Sequence, residues 1–314
     1  MTIAFPRALF GANPQSRIGS LRDVNEEQDG RLRIAAIGFL NPAPLMWDFE
    51  HPPLNEALAR RYRIDRMTPS ECAMRLADGR ADIGLIPIAS LATTPGLKIL
   101  PGCTIASKGR VRSLLLVHRA SQPLTALRSV AADTASRTTL AYARILFHKW
   151  GNAEVPFLPL AANLDLMLER ADAAILIGDP ALLALEERFN RSERTGEELV
   201  YRDLAQEWRA LTGLAFVSAV WAIAPAGGKV LDESIAEDFV RSRDHGLANI
   251  DALVAEWSER FPIPEETIRT YLTANIHYVL DEECVEGMRG FFRMAAEYGV
   301  LLPYAVAVEE MAAR

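Results

Sequence analysis

The sequence has few cysteines, no long apolar run and no cluster of basic residues, and each absence excludes a class of protein. The three cysteines among its 314 residues lie far apart without a Cys-x-x-Cys pair, which disfavours a disulfide framework or zinc site and favours a reducing compartment. The longest apolar stretch, residues 214–226, is too short to span a bilayer. A net charge of -7 without a Lys/Arg run disfavours nucleic-acid binding. We therefore expect a cytoplasmic protein with a small-molecule partner and neither nucleic acid nor membrane, as a monomer or a homodimer.

Several motifs that mark common enzyme classes are also missing. The sequence contains no Gly-x-x-x-x-Gly-Lys-Ser/Thr, Gly-x-Gly-x-x-Gly, His-Glu-x-x-His or Gly-x-Ser-x-Gly segment. Interpretations as a P-loop enzyme, a dinucleotide-binding protein, a zincin or an α/β-hydrolase therefore have no support. The five histidines are scattered along the chain. We expect neither a cofactor nor a metal ion.

What the chain does contain, from residue 31 onward, is an alternation of short apolar runs with helical periods. This pattern predicts an α/β fold with a mostly parallel sheet covered by helices. The strands are expected at residues 32–40, 62–67, 82–87, 111–118, 129–133, 172–178 and 213–224. The helices are expected at residues 53–61, 69–78, 136–150, 179–188, 232–243, 246–259, 265–274 and 283–298.

The order of these elements also predicts two lobes. Only helical patterns follow the last strong strand, which indicates that the chain leaves a first lobe, builds a second and returns to finish the first. We place the crossings near residues 112–120 and 214–222. Lobe 1 would comprise residues 31–115 and 220–314, and lobe 2 residues 116–219. Residues 1–30, which end in a polar run, are interpreted as a mobile extension.

Ligands of such folds collect at the carboxyl ends of strands and in the crevice between lobes. The polar residues that follow the predicted strands are mostly neutral, which suits an oxygen-rich small molecule. The candidates are Asn41, Ser90, Ser107, Gly109, Ser136, Arg137, Thr138, Thr139 and Asp179.

The segment Ser136-Arg137-Thr138-Thr139 opens an apolar helix and has two interpretations. Free backbone N–H groups and the positive end of the helix dipole make a helix start an anion site, and the side chains add further donors. Alternatively, Ser136 is only a helix cap, with a solvated arginine and incidental threonines.

The other candidates have alternatives of the same kind. Asn41 either forms an Asn-Pro turn or offers its amide to a developing charge. Asp179 is either a helix cap or a site carboxylate. Ser107 and Gly109 belong to either a carboxylate-binding turn or a plain surface turn.

Several segments, in their order and spacing, resemble the motifs of the chorismate dehydratases of the futalosine route to menaquinone. The similarity covers roughly residues 32–300, and the segments that carry it are "IGFLNPAPL", "LADGRADIGLIPIASLA", "ILPGCTIASKGRVRSLLLV", "DTASRTTLAYARILF", "DAAILIGDPAL", "WRALTGLAFVSAVWA" and "YLTANIHYVLDEECVEGMRGFF".

The resemblance implies a two-lobed fold like that of the type II periplasmic binding proteins, with the ligand in the cleft between the lobes. It implies a hydro-lyase that converts chorismate to 3-(1-carboxyvinyloxy)benzoate and water. The family's active-site asparagine corresponds to Asn41, and its carboxylate-binding turn to residues 136–139. Three residues depart from the family pattern: Pro42 stands where a threonine is common, Thr139 replaces a serine and Ala215 replaces a proline.

From this resemblance we expect Asn41 to hydrogen-bond the leaving hydroxyl while residues 136–139 hold one carboxylate and Ser107 and Gly109 hold the other. The proton acceptor would be a carboxylate of the substrate or Asp179. Two other classes of function stay open. One is a non-catalytic protein of the same fold that binds a small carboxylate, and the other is a ligand-sensing regulatory domain.

Overall fold

The computed structural model describes residues 30–133, 137–224 and 233–301. Within these ranges the strands are β1 (Leu32–Ile37), β2 (Tyr62–Met67), β3 (Ile83–Pro87), β4 (Lys98–Ser107), β5 (Leu114–Arg119), β6 (Val130–Asp133), β7 (Phe157–Leu160), β8 (Ala173–Ile177), β9 (Leu199–Asp203), β10 (Phe216–Ile223) and β11 (His277–Val279). The predicted extension, residues 1–30, lies outside the described residues except for Gly30.

Helices cover both sheets. The α-helices are α1 (Trp47–Glu50), α2 (Asn55–Ala59), α3 (Pro69–Ala77), α4 (Arg137–Lys149), α5 (Leu164–Arg170), α6 (Gly178–Glu186), α7 (Arg188–Thr195), α8 (Leu204–Thr212), α9 (Glu233–Ala248), α10 (Ile250–Ser258), α11 (Glu265–Thr270) and α12 (Glu282–Glu297). Short 3-10 turns lie at Ala43–Met46, Ile88–Ala92 and Leu124–Ala126, and a π-helical turn lies at Tyr271–Asn275. No helix in the described ranges is both long and apolar enough to cross a membrane.

The strands form two sheets of mixed direction. The first sheet has the order β11-β4-β10-β3-β1-β2, and the second has the order β7-β6-β8-β5-β9. Strands β1, β2 and β3 pair in parallel, as do β6, β7 and β8, whereas β10 and β5 pair antiparallel with their neighbours. The prediction of a mostly parallel sheet is therefore wrong. The chain leaves the first sheet after β4 and returns through β10, and these adjacent strands must run in opposite directions.

The chain changes sheet between Ser107 and Leu114, and again between Asp203 and Phe216. The Asp203 carboxylate ties these two segments together. It accepts backbone hydrogen bonds from Val111 (2.9 Å) and Arg112 (2.6 Å), and it also caps α8. The predicted boundaries between the two lobes, 115/116 and 219/220, fall inside strands β5 and β10. The described residues from Leu32 onward form one compact unit, so the division into two lobes stays a prediction.

A buried aromatic cluster joins the two sheets. The Tyr142 ring on α4 stacks on Phe216 of β10 (centroids 3.8 Å apart) and contacts Trp208 of α8 (4.6 Å) and Phe291 of α12 (4.3 Å). All four rings are fully buried. The Tyr142 hydroxyl also accepts a hydrogen bond from the backbone N–H of Val217 at 3.3 Å. Helix α4 therefore packs against the first sheet through the side chain of Tyr142.

A candidate active site between the two sheets

A small cavity lies between the two sheets, at the ends of their central strands. Its polar lining consists of Asn41, Ser113, Arg137, Thr138, Thr139 and Ser218, and apolar side chains cover the rest. The cavity volume is about 50 Å³, which is room for a few water molecules, whereas ligand pockets typically have roughly 300 to 1,000 Å³. The cleft is therefore closed in this conformation.

Asn41 lies in the turn that follows β1, and its neighbours fix that turn. Gly38 donates its N–H to the Met67 carbonyl (3.0 Å), and Ala43 donates to the Leu40 carbonyl (3.0 Å). The Oδ1 atom of Asn41 is buried and has no hydrogen-bond partner among the described residues. A buried amide oxygen without a partner is costly, and such atoms call for an explanation. A ligand in the cavity would supply the missing partner.

Asp179 connects this turn to the second sheet. Its Oδ1 accepts a hydrogen bond from the Leu40 N–H at 3.0 Å, one residue before Asn41. Burial raises the pKa of the Asp179 carboxyl to about 6, and the bond from Leu40 partly counters this rise. The side chain makes no cap hydrogen bond at the start of α6, so its interpretation as a helix cap is wrong. Asp179 does not line the cavity; it holds the Asn41 turn from the opposite side.

Gly178 allows the start of α6 to approach the turn after β1 closely. Its φ is +61°, and a Cβ atom there would lie 2.5 Å from Cδ2 of the Phe39 ring. Both the left-handed backbone and the close approach require glycine. The Gly178 N–H also donates to the Ser113 carbonyl at 2.8 Å, which fixes the start of α6 against the crossing segment.

The first turn of α4 forms the opposite wall. Arg137 is exposed, whereas Thr138 and Thr139 are buried, and all three line the cavity. The Oγ1 atom of Thr138 accepts a hydrogen bond from the Ala89 N–H at 3.1 Å, which is a second link between the sheets. The first turn, as far as the structure describes it from Arg137 onward, contains no acidic residue, which leaves the positive end of the helix dipole favourable to an anion. The predicted Ser136 lies outside the described residues.

Three other predicted residues do not line the cavity. Ser107 donates to the Gly109 carbonyl (2.9 Å) and accepts from the Gly109 N–H (3.3 Å), so the two close a turn on each other. The Ser90 hydroxyl is buried and has no hydrogen-bond partner within the described ranges. Substrate binding by these three residues stays a prediction.

The structure adds Ser113 and Tyr271, which the sequence did not single out. The buried Tyr271 hydroxyl, on the π-helical turn, donates to the Ser113 Oγ at 2.8 Å. Burial raises the pKa of Tyr271 well above its ordinary value, and the hydrogen bond with Ser113 partly counters the rise. The two residues are 158 positions apart, so no local pattern could have paired them.

One group of side chains in the described residues has the spacing of metal ligands. Ligand atoms of His277, Asp281 and Cys284 lie within 4.8 Å of one another. However, the ammonium of Lys108 lies 2.7 Å from the Asp281 carboxylate and already supplies a positive charge there. These residues do not line the cavity.

The comparison with known families gives the decisive observation. Residues 32–297 match a family model described as menaquinone biosynthesis, which is most of the chain. The chain belongs to the menaquinone biosynthesis family. This match confirms the family that the sequence motifs indicated.

One relative agrees with this family, and solved structures show which fold the chain has. The chain is 28% identical to the chorismate dehydratase of Thermus thermophilus over 242 residues, which cover 73% of this chain and 85% of the relative. Its structure is similar to the alkanesulfonate-binding protein of Xanthomonas axonopodis pv. citri bound to MOPS (TM-score 0.62, 15% identity, 90% and 97% coverage). It is also similar to a Candida albicans protein with the generic periplasmic binding protein fold (TM-score 0.59, 14% identity, 90% and 94% coverage). The predicted fold class is therefore confirmed.

Proposed function

We propose that this member of the menaquinone biosynthesis family is a chorismate dehydratase, a carbon–oxygen lyase that converts chorismate to 3-(1-carboxyvinyloxy)benzoate and water. The observation that carries the proposal is the cavity between the sheets, where the unpartnered amide oxygen of Asn41 and the first turn of α4 share one space. The similarity to the Thermus thermophilus enzyme supports the choice of substrate.

The charge distribution of the cavity suits a dicarboxylate. One carboxylate docks on the first turn of α4, where the helix dipole and the Arg137 guanidinium attract an anion. The second carboxylate needs other donors, and the hydroxyl groups of Ser113 and Ser218, which line the cavity, can supply them. Because Ser113 Oγ accepts its bond from Tyr271, its own proton remains free to donate.

The reaction removes a ring proton and the neighbouring hydroxyl, which leave together as water while the ring becomes aromatic. In this scheme the side-chain N–H of Asn41 donates a hydrogen bond to the oxygen of the leaving hydroxyl, and the closed cleft keeps bulk water away. Asp179 does not line the cavity and its Oδ1 is engaged by Leu40. This favours a carboxylate of the substrate over Asp179 as the proton acceptor.

The substrate cannot enter the cleft as it stands, because the cavity holds only a few waters. The contacts of Leu40 with Asp179 and of Ala89 with Thr138 must break for the cleft to open. They re-form around the substrate. We place the enzyme in the cytoplasm, which suits its three free, buried cysteines.

A second candidate function is binding of a small carboxylate without catalysis. The structural similarity to the alkanesulfonate-binding protein favours it. Incubation of the purified protein with chorismate separates the two functions, with the diene absorbance and the mass of the product followed together. We expect loss of the diene with formation of the aromatic product in equal amount. Saturable binding without any product would replace the proposal with the second candidate.

A further inference from the structure

A second and larger cavity lies on the outer side of the second sheet, between α7 and the edge strand β9. Its volume is about 480 Å³, and none of its lining residues lines the cleft between the sheets. We call it the outer groove. Arg188, Phe189 and Arg191 line it from α7, and Leu199 and Tyr201 from β9.

Two buried donors of the outer groove have no partner among the described residues. Arg191 is 7% exposed; its Nε donates to Asp165 (2.8 Å) and its Nη2 to Glu197 (2.9 Å). Its Nη1 is buried and unpartnered, and so is the hydroxyl of Tyr201. Burying two such donors is expensive unless a ligand or water accepts their protons. Neither residue has a role in the proposed reaction.

The other wall of the outer groove is apolar and partly flat. The Phe189 side chain is 66% exposed, which is unusual for a large aromatic residue, and the Arg188 guanidinium lies 4.2 Å from its ring centroid. Leu185 and Leu199 continue this apolar surface. The groove therefore offers a ring-sized apolar surface beside hydrogen-bond donors.

We propose that the outer groove binds a small aromatic carboxylate. Its carboxylate accepts from Arg191 Nη1 and the Tyr201 hydroxyl, and its ring packs against Phe189 and the two leucines. The lining contains Arg110, Arg188 and Arg191 against Glu197 and Glu198, so the local charge favours a single negative charge over a phosphate dianion. The proposal does not depend on the proposed dehydratase activity.

Titration of the full-length protein with 3-fluorobenzoate, followed by fluorine NMR, tests the proposal. We expect saturable binding that Tyr201→Phe weakens about tenfold, because the variant removes one donor to a charged acceptor. Tyr278→Phe is the matched control: the Tyr278 hydroxyl is also buried and unpartnered in the described structure, but it lies outside the groove. This control should bind like the unchanged protein.

Phe189→Ser provides a second variant at an exposed position, where folding is not at risk, and it should also weaken binding. The inference is overturned if the unchanged protein shows no saturable binding at millimolar probe. It is equally overturned if Tyr201→Phe and Phe189→Ser both bind as well as the control. Binding that persists in these variants but disappears in Arg137→Gln belongs to the cleft and also overturns the inference.

Discussion

At the scale of single residues, the candidate site contains two groups of residues. One group lines the cavity, and the other holds the lining residues in place. Asn41, Arg137, Thr138 and Thr139 were predicted from the sequence, and the structure brings them to one cavity. Asp179 was also a candidate, but the structure gives it a different position, behind the Asn41 turn. Sequence patterns find polar residues at strand ends; they do not tell which way each side chain points.

The raised pKa of Asp179 makes the stability of the protein depend on pH. An acid whose pKa is higher in the folded state than in the unfolded chain binds its proton more tightly when folded. The ionised carboxylate therefore destabilises the folded state above pH 6, by at most roughly 3 kcal/mol for a rise from 3.8 to about 6, and not at all below about pH 4.

Asp179→Asn removes this penalty and keeps an oxygen that can accept from Leu40. We expect the variant to unfold at a higher temperature than the unchanged protein at pH 8 and at the same temperature near pH 4. Thermal unfolding curves across this range check the prediction. A constant difference at all pH values would contradict it. Retained turnover of chorismate in the same variant would also exclude Asp179 as the proton acceptor.

A substitution at Gly178 tests the close contact between the start of α6 and the Phe39 ring. Gly178→Ala places a Cβ atom against the Phe39 ring and strains a left-handed backbone, so we expect a loss of roughly 2–4 kcal/mol in stability. Gly151→Ala is the control, because Gly151 also has a positive φ (+81°) but open space around it. The control should lose only about 1 kcal/mol. Equal losses in denaturant unfolding would show that the contact with Phe39 contributes nothing.

At the scale of elements, the sequence predicted eight of the twelve α-helices and seven of the eleven strands of the described residues, and it missed helices α1, α5, α7 and α8. The predicted start of α3 at Pro69 is confirmed, and in the structure Thr68 caps this helix and forms a capping box with Glu71. Strands β4, β7, β9 and β11 were missed. Pro101 and Gly102 interrupt β4, Pro159 lies in β7, β9 ends in the charged residues Arg202 and Asp203, and β11 has three residues, so each lacks a long apolar run.

The first turn of helix α4 is the proposed carboxylate dock, and Thr138 joins it to the first sheet. Thr138→Val keeps the shape of the side chain but leaves the Ala89 N–H without its acceptor, which costs about 1–3 kcal/mol. We expect a higher KM for chorismate and a lower unfolding temperature. Thr138→Ser, which retains the hydroxyl, should stay close to the unchanged protein in both measurements. A valine variant with an unchanged KM would remove Thr138 from the dock.

At the scale of the whole molecule, the order of the elements predicted that the chain crosses between two layers and returns. The chain changes sheet at residues 108–113 and 204–215, whereas we expected the crossings near 112–120 and 214–222. The direction of the strands was not predicted, because a strand that carries the chain from one sheet to the other has the same sequence pattern whether it pairs in parallel or antiparallel. The two sheets share a continuous buried core through α4 and α8 on one side. The cleft lies between them with only a few polar links, so motion of one sheet against the other is the expected route for a ligand.

Hydrogen exchange tests this motion. Opening of the cleft must expose the N–H groups of Leu40 and Ala89, which donate across it. We expect bound chorismate, in a variant that does not turn it over, to slow the exchange of both N–H groups at least about tenfold. The N–H of Gly38, which bonds within the first sheet, serves as the internal control. Exchange at Leu40 and Ala89 that ligand leaves unchanged would contradict opening at this place.

The central claim is that chorismate is dehydrated in the cleft, with Asn41 stabilising the departure of the hydroxyl. The most direct measurement is the single-turnover rate of Asn41→Ala at chorismate concentrations that saturate binding, beside that of the unchanged protein. We predict that binding persists while the rate falls at least about a hundredfold, as expected when a transition-state hydrogen bond is lost. A variant that binds chorismate and converts it at the unchanged rate would contradict the claim.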